Sequence, residues 1–172
     1  MEWMNSINER VSAELDGKEL TVPSDLRTVE CAIDRVGSGG IFYTPPSDDL
    51  LRPGTMWWSV PAGQEVFHTW QEMTTIFHEG IPGHHLQMGT ALTQRATLNL
   101  WRRSVCWNSG HGEGWALYAE HLMAEHGYFD DPGYRMGLLD SRRLRLARVM
   151  VDIGVHLKKA TPDGAGMWDA QY

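Results

Sequence analysis

The chain has 172 residues, of which 42% are apolar, a length and composition that allow one domain with its own hydrophobic core. The formal net charge is −7 and no basic run is present, which argues against a nucleic-acid partner. No apolar stretch is long enough to span a bilayer, so we also expect no membrane partner.

The cysteines and the amino-terminal residues indicate a cellular location. Cys31 and Cys106 are too few and too far apart to predict a disulfide framework or a cysteine zinc site, and they fit a reducing compartment. Residues 1–5 have neither a basic start nor an apolar run, so they do not resemble a signal peptide. We therefore expect a cytoplasmic protein.

The first predicted elements are a helix and three strands. Apolar residues recur at helical spacing over residues 2–16, which predicts an amphipathic helix that ends at Gly17. Alternating patterns at residues 29–34, 41–44 and 56–60 each predict a short strand, separated by a turn at 37–40 and a loop at 45–49. Three strands in succession predict a small antiparallel sheet.

The remainder of the chain is predicted to be helical. We expect helices over residues 65–79, 83–103, 113–126 and 131–159, the third preceded by a break at 108–110 and the last ended by residues 161–164. The predicted fold class is therefore mainly α with a small antiparallel β-sheet (α+β). We expect a single domain over 1–172, made of residues 1–62 with the first helix and the sheet, a helical region over 63–160, and a tail over 161–172.

Residues 78–87 concentrate histidines and a glutamate at one predicted helix end. They resemble the zincin motif H-E-x-x-H, in which two histidines one turn apart bind zinc and the glutamate is the general base. Here the residue four positions after His78 is Pro82, which cannot bind a metal. Because Pro82 and Gly83 favour a break in the helix, we expect one helix to end near Gly80 and another to start near Gly83. That turn would return a later histidine to the metal; the simpler interpretation is a pair of structural histidines beside a helix break.

Either of two consecutive histidines could be that later ligand. His85 follows His78 by seven residues, about two helical turns, so it would face the same way in an unbroken helix. A helix continuous through Pro82 would be destabilised by roughly 3 kcal/mol. We therefore prefer His84 after a break, with His85 as the alternative.

The first motif is followed by two others, and together they resemble a known family. The patterns are H-E-x-x-P-G-H-x-x-Q, then E-G-W-A-x-Y-x-E, then V-D-x-G-x-H on an arginine-rich helix. They are similar to those of the bacterial family called domain of unknown function 885, which is grouped with the gluzincin clan of zinc metallopeptidases. The residues that carry the resemblance are His78, Glu79, Pro82, Gly83, His84, Gln87, Glu113, Gly114, Trp115, Ala116, Tyr118, Glu120, Val151, Asp152, Gly154 and His156.

The resemblance implies a gluzincin-like catalytic domain with a zinc site of two histidines and one glutamate. The third ligand would be Glu113, with Glu120, two turns further along the same helix face, as the fallback. His84 occupies the family's position for the second histidine. The resemblance also implies that the sheet roofs the active-site cleft and pairs with an extended peptide substrate. Family members are several times longer, so this chain corresponds to their C-terminal catalytic part.

The predicted chemistry needs zinc with three protein ligands and one open position. We expect His78, His84 and Glu113 as ligands, and Glu79 as the base that takes a proton from water. Donors to the developing oxyanion would come from a set on the later helices. That set consists of Tyr118, Arg148 and His156.

A further set of residues would support these groups. Arg148, Asp152 and His156 share one helix face at i, i+4 and i+8, which fits either a substrate-carboxylate clamp or an ordinary surface ion pair. Gln87 is expected to bond backbone near the helix break. The predicted supporting residues are His85, Gln87, His111, Glu120 and Asp152.

The sequence therefore predicts a zinc-dependent hydrolase that cleaves an amide bond in a peptide or a peptide-like small molecule, with Zn²⁺ as cofactor. One alternative is a metal-dependent hydrolase or biosynthetic enzyme acting on a non-peptide amide or ester. Another is a non-catalytic, zinc-stabilised binding domain, which would have a closed site of four ligands. Self-association into a homo-oligomer, or an N-terminal region outside this chain, would complete the cleft.

Overall fold

A computed structural model describes residues 1–36 and 40–161, so most of the predicted turn at 37–40 and of the predicted tail at 161–172 lies outside the described residues. The chain divides into two compact units, Met1–Leu138 and a second that begins at Leu139. The elements are α1 (Glu2–Leu15), a 3-10 turn (Ser24–Leu26), β1 (Glu30–Asp34), β2 (Ile41–Thr44), β3 (Thr55–Ser59), α2 (Thr69–Glu79), α3 (His84–Thr93), α4 (Leu100–Ser104), α5 (Ser109–Glu125) and α6 (Pro132–His156).

The fold is mainly helical with one small sheet, which confirms the predicted α+β class. α1 buries the apolar face that its periodicity predicts, and Val11 and Leu15 are completely inaccessible to solvent. This face packs with side chains of β3, α2 and α5 in the main core of the first unit. The largest members of that core are Met4, Ile7, Met56, Trp58, Met73, Ile76, Phe77, Ile81, Met123 and Phe129.

The sheet is mixed rather than antiparallel, which corrects the prediction. β3 lies in the centre, parallel to β1 and antiparallel to β2, in the order β1-β3-β2. The prediction assumed that each strand pairs with the next one in sequence. Instead, the loop over residues 45–54 is long enough to return the chain between the two earlier strands. The ladder there begins with the bond from the Glu30 N–H to the Gly54 carbonyl oxygen at 3.0 Å.

Three helix boundaries also differ from the predicted ones. α2 begins at Thr69 rather than 65, and the helix predicted over 83–103 is two helices, α3 and α4. α5 begins at Ser109, within the stretch predicted to be a break. The reason is Asn108, whose Oδ1 accepts a hydrogen bond from the His111 N–H at 3.1 Å and so caps the first turn.

The second unit contains the part of α6 that follows Leu138, together with residues up to 161. This part of α6 carries many apolar side chains, and within the described structure they are exposed. The exposed apolar residues are Leu139, Leu144, Leu146, Val149, Met150, Val151, Ile153, Val155 and Leu157. Cys31 and Cys106 are both free thiols, so no disulfide joins them.

The helical path is interrupted between α2 and α3 by a tight turn over residues 80–83 (the α2–α3 turn), as the Pro-Gly sequence predicts. α2 ends at Glu79 and α3 begins at His84, with a cis peptide bond between Ile81 and Pro82. A Cβ atom at Gly83 would overlap the carbonyl oxygens of Phe77 and His78. Glycine is therefore required at this position because the backbone passes directly against the last turn of α2.

Two side chains from other helices form hydrogen bonds with the backbone of the α2–α3 turn. The Oδ1 of Asn8, in α1, accepts a hydrogen bond from the Ile81 N–H at 2.9 Å. The Nε1–H of Trp115, in α5, donates to the Pro82 carbonyl oxygen at 2.8 Å. Asn8 is 1% exposed and Ile81 is completely buried, so leaving either partner of that bond unpaired would carry a full desolvation penalty.

Gly83→Ala should destabilise the first unit, because its new methyl group meets backbone atoms that cannot move aside. The expected loss in the free energy of unfolding is about 1–3 kcal/mol. Gly114→Ala is the matched control, since nothing lies within 4 Å of a Cβ at this α5 position. It should raise stability by about 0.5–1 kcal/mol, because alanine favours the helix. Urea unfolding measures both, and equal midpoints for Gly83→Ala and wild type would contradict the role of Gly83.

Candidate metal site

Three side chains from three helices lie close together beside the α2–α3 turn. His78 lies at the end of α2, His84 in the first turn of α3 and Glu113 in α5, and their potential ligand atoms all lie within 4.8 Å of one another. The Glu113 Oε2 is 3.2 Å from the His78 Nε2 and 3.7 Å from the His84 Nε2. The two imidazole rings stand nearly perpendicular, at 88°, with their centroids 4.8 Å apart. The structure thus brings together the three residues that the sequence predicts as ligands.

The donor set fits a divalent zinc ion. Two imidazole nitrogens and one carboxylate are the ligands of many catalytic zinc sites. Burial lowers the pKa of His84, and the neighbouring His78 lowers it further, while Glu113 opposes the shift. His84 therefore favours the neutral form at neutral pH, which is the form that binds a metal.

Glu120 supports His78 from the other side of the ring. Its Oε1 lies 2.7 Å from the His78 Nδ1, and its Oε2 accepts a hydrogen bond from the Thr74 Oγ1 at 2.6 Å. Glu120 is completely buried. Because Nδ1–H donates to this carboxylate, the Nε2 of His78 is turned towards Glu113. Glu120, the fallback ligand of the sequence analysis, thus lies behind His78 and outside the group of potential ligands.

Glu79, the predicted general base, follows His78 directly and is buried, with 9% of its surface exposed. Burial raises the pKa of Tyr43 in β2 far above its ordinary value; Arg52 opposes that shift, and the negative charge of Glu79 adds to it. Glu79 is therefore close enough to Tyr43 for its charge to act on the phenol.

His85 has both ring nitrogens occupied outside the ligand group. Its Nε2–H donates to the Leu26 carbonyl oxygen at 3.0 Å, and its Nδ1 accepts from the Tyr43 hydroxyl at 2.8 Å. A Cβ atom at Gly54 would overlap both the Tyr43 hydroxyl and the His85 ring. Consecutive residues in a helix point about 100° apart, so His84 and His85 serve different surroundings. Of the two alternatives, the structure places His84 with the other potential ligands.

Gln87 and His111 link α3 to the start of α5. The Gln87 Nε2 lies 3.3 Å from the His111 Nδ1 and 3.5 Å from the His111 carbonyl oxygen. Gln87 thus bonds α5 and not the backbone of the α2–α3 turn, which corrects the prediction for this residue. The sequence analysis did not find Trp107, whose ring centroid lies 5.7 Å from that of His84 and which packs over Gly112. The available signal was its position directly before the capping residue of α5.

The predicted oxyanion donors are not part of the ligand group. Tyr118 follows Glu113 by five residues and so points about 140° away around α5; it is half exposed, with its ring 5.8 Å from that of Trp115. Arg148, Asp152 and His156 belong to the second unit. The predicted pairing there is present, with the His156 Nδ1 2.8 Å from the Asp152 carbonyl oxygen and 3.3 Å from its Oδ1. The roles of these four residues in catalysis stay predictions.

The buried state of His85 predicts how stability depends on pH. Burial lowers the pKa of His85 to about 4, from an ordinary value of 6.5. The unfolded chain therefore takes up a proton at a higher pH than the folded one does. His85 should contribute full stability above pH 6.5 and lose about 3 kcal/mol of it as the pH falls towards 4.

Urea unfolding between pH 7.5 and pH 4.5 measures this loss as the difference between wild type and His85→Gln. The variant should be less stable at pH 7.5 and show a flatter pH dependence. His121→Gln, at an exposed position of α5, should keep the wild-type slope. Parallel pH curves for wild type and His85→Gln would show that His85 titrates as it does in the unfolded chain.

The chain is similar in sequence and structure to known proteins. Within the described residues, no helix is both long enough and apolar enough to cross a membrane. A solved structure titled the putative lipoprotein from Colwellia psychrerythraea is similar over 93% of this chain, with 32% sequence identity and a TM-score of 0.79. The chain spans 27% of that protein's length. No curated protein matches the chain.

The family model described as "Bacterial protein of unknown function (DUF885)" matches residues 2–168. This match covers nearly the whole chain, including α2, α3 and α5 with the convergent histidines and glutamates. It agrees with the resemblance carried by the three sequence motifs. The chain therefore belongs to the DUF885 family of bacterial proteins.

Proposed function

We propose that the chain carries the catalytic site of a gluzincin-type zinc hydrolase, which cleaves an amide bond in peptides or peptide-like small molecules. The observation that carries this proposal is the convergence of His78, His84 and Glu113, with Glu79 directly beside the first ligand. These are the groups that metal-assisted amide hydrolysis needs: three ligands for one cation and a carboxylate base next to it.

The environment of the ligands supports a catalytic site over a purely structural one. A structural zinc site has four protein ligands, whereas a catalytic site keeps one position open. In the described part of the chain the convergent group has three members, and Glu120 is engaged by His78 and Thr74 instead. The side chain of Glu113 is 52% exposed, which leaves the site accessible to water.

The chain's own residues have distinct parts in the proposed reaction. Bound zinc supplies the positive charge that lowers the pKa of a water molecule to about 7. Glu79 takes the proton of the attacking water and passes it to the leaving amine. Glu120 fixes the orientation of His78 and increases its basicity, because its carboxylate accepts a hydrogen bond from the Nδ1–H. The oxyanion donor that we propose within the first unit is Tyr118; Arg148 and His156, in the second unit, are predicted from the sequence alone.

The position of β2 supports a peptide as the substrate. β2 is an edge strand, and Tyr43 on it contacts His85, which follows the proposed ligand His84. An extended peptide could add to a free strand edge through backbone hydrogen bonds. The sheet would then act as the roof of the cleft, as the family resemblance implies.

The chain spans 27% of the length of the similar lipoprotein, so its activity by itself is part of the proposal. We propose that an N-terminal region, or a second copy of the chain, completes the cleft. We also propose a cytoplasmic location. The description of the similar protein as a lipoprotein indicates a membrane-anchored location as the alternative.

Metal content and hydrolysis, measured on the same samples, test the site directly. Wild type should carry one zinc per chain by elemental analysis and should cleave members of a mixed peptide library. His84→Ala should lose the metal, because one of three ligands is removed. Glu79→Gln should keep the metal and lose hydrolysis by roughly 10²–10⁴-fold, because only the base is removed.

Each other result has a defined meaning. Retention of zinc by His84→Ala would contradict the ligand assignment. Zinc binding without cleavage of any peptide, non-peptide amide or ester by wild type would contradict the hydrolase proposal for this chain and favour the zinc-stabilised binding domain. Cleavage of non-peptide substrates alone would favour the alternative substrate class.

Three substitutions in α5 should separate ligand, support and surface. Glu113→Gln should weaken zinc binding most, because it removes the charge of a ligand. Glu120→Gln should weaken it by about 10–100-fold, because the residue behind His78 loses its charge. Glu125→Gln, in the exposed pair with His121, should bind zinc as wild type does. Competition with a zinc-binding dye measures the order, and equal affinities for Glu120→Gln and Glu125→Gln would contradict the support by Glu120.

A further inference from the structure

Two buried polar atoms on α3 lack a hydrogen bond of ordinary geometry in the described structure. One is the Nδ1 of His84, and the other is the Oε1 of Gln87. The two residues are three positions apart in α3, so their side chains are neighbours on one face of the helix. An imidazole nitrogen that carries a proton donates, and an amide oxygen accepts. The two unpaired atoms are therefore complementary.

The other end of the Gln87 amide determines which way its oxygen points. The Gln87 Nε2 lies 3.3 Å from the His111 Nδ1 and 3.5 Å from the His111 carbonyl oxygen. An amide nitrogen only donates and a carbonyl oxygen only accepts, so this orientation of the amide is favourable. The opposite orientation would bring two oxygens together. The contacts with α5 therefore turn the Gln87 Oε1 away from His111.

The Gln87 side chain is close enough to act on His84. Burial lowers the pKa of His84, and Gln87 opposes this shift as a hydrogen-bond partner of the imidazole. On the other side of the ring, the His84 Nε2 is 3.7 Å from the Glu113 Oε2, which is too long for a hydrogen bond. The Nε2 therefore faces the potential ligands without needing a proton, and Nδ1 is the nitrogen left for Gln87.

From these contacts we infer that Gln87 is a positioning residue for His84: its Oε1 accepts a hydrogen bond from the His84 Nδ1–H, which leaves the Nε2 unprotonated and turned towards Glu113. Glu120 makes the corresponding contact with the Nδ1 of His78. Each histidine of the candidate site then has its own acceptor, a carboxylate or an amide oxygen. What the inference predicts for zinc rests on the proposed function, whereas the tautomer of His84 can be measured without a metal.

The tautomer of His84 is measured on the full chain with EDTA present, at about pH 8, where an ordinary histidine is neutral. Two-bond ¹H–¹⁵N spectra of ¹⁵N-labelled protein distinguish the protonated ring nitrogen from the unprotonated one. The His84 signals are assigned by their absence in His84→Ala. In wild type the proton should lie mainly on Nδ1. Gln87→Met, which has a similar length and no amide oxygen, should shift the population towards the Nε2–H tautomer.

Zinc affinity, measured by competition with a zinc-binding dye, tests the consequence for the metal. Gln87→Met should weaken zinc binding by about 10–100-fold, because the acceptor behind a histidine ligand is lost. Gln87→Glu keeps an acceptor but loses the N–H that contacts His111, so it separates the two contacts of Gln87. It should bind zinc at least as tightly as wild type. Gln71→Met, at an exposed position of α2, is the matched control and should change neither the tautomer nor the affinity.

Several results would overturn the inference. One is a proton on the Nε2 of His84 in wild type, and another is the same tautomer population in wild type and Gln87→Met. Equal weakening of zinc binding by Gln87→Met and Gln87→Glu would assign the effect to the lost contact with His111 instead. If wild type binds no zinc, the proposed function fails, and the tautomer measurement alone decides on Gln87. If Gln87→Met does not fold, Gln87→Leu replaces it with the same expected direction.

Discussion

The turn between α2 and α3 is the constraint on which the candidate site depends. In a continuous helix, residue 84 would lie about 9 Å further along the axis than His78 and about 120° around it. The α2–α3 turn instead brings the two imidazole rings to a centroid separation of 4.8 Å. It can form only because Gly83 has no side chain where the backbone meets the carbonyl oxygens of α2. The interrupted zincin pattern in the sequence therefore still brings two histidines together.

The side chains that form hydrogen bonds with the α2–α3 turn come from parts of the fold that are distant in sequence. Asn8 lies on the buried face of α1, next to Ile7, and reaches the backbone of Ile81. Trp115 lies on α5 between the two glutamates that contact His78. The packing that builds the core thus also positions the candidate site, and α1 supports the turn that lies between its two histidines. A loss of packing at α1 would reach His84 through the Asn8–Ile81 bond.

The sequence predicted those parts of the molecule that local chemistry determines. Pro82 and Gly83 restrict the backbone by themselves, so the helix break and the preference for His84 could be predicted. The two-turn spacing of Glu113 and Glu120 also predicted that both face the same way. By contrast, strand order depends on which strands meet in space, and a mixed sheet gives no signal in the alternation of residues.

Asn8 and Trp107 were not predicted from the sequence because their contacts depend on the tertiary structure. Asn8 looks like an ordinary polar position in an amphipathic helix, and only its burial beside Ile81 reveals its role. Trp107 looks like one more aromatic residue until α5 begins at Ser109 and brings it against His84. The 108–110 stretch was predicted as a break because Asn, Ser and Gly favour turns, yet an asparagine is also a strong helix cap. Capping and breaking have the same composition, and the tertiary structure decides between them.

Two histidines and two glutamates at the candidate site differ in burial and in contacts because their surroundings differ. His84 faces the carboxylate of Glu113, while burial favours the neutral form of His85, whose ring nitrogens contact the Tyr43 hydroxyl and the Leu26 carbonyl oxygen. Glu120 is completely buried and has fixed partners, whereas Glu113 is about half exposed. A buried carboxylate persists only with such partners, so Glu120 is a rigid support for His78. The histidine side of the candidate site is therefore preorganised, and Glu113 is the most exposed of its three potential ligands.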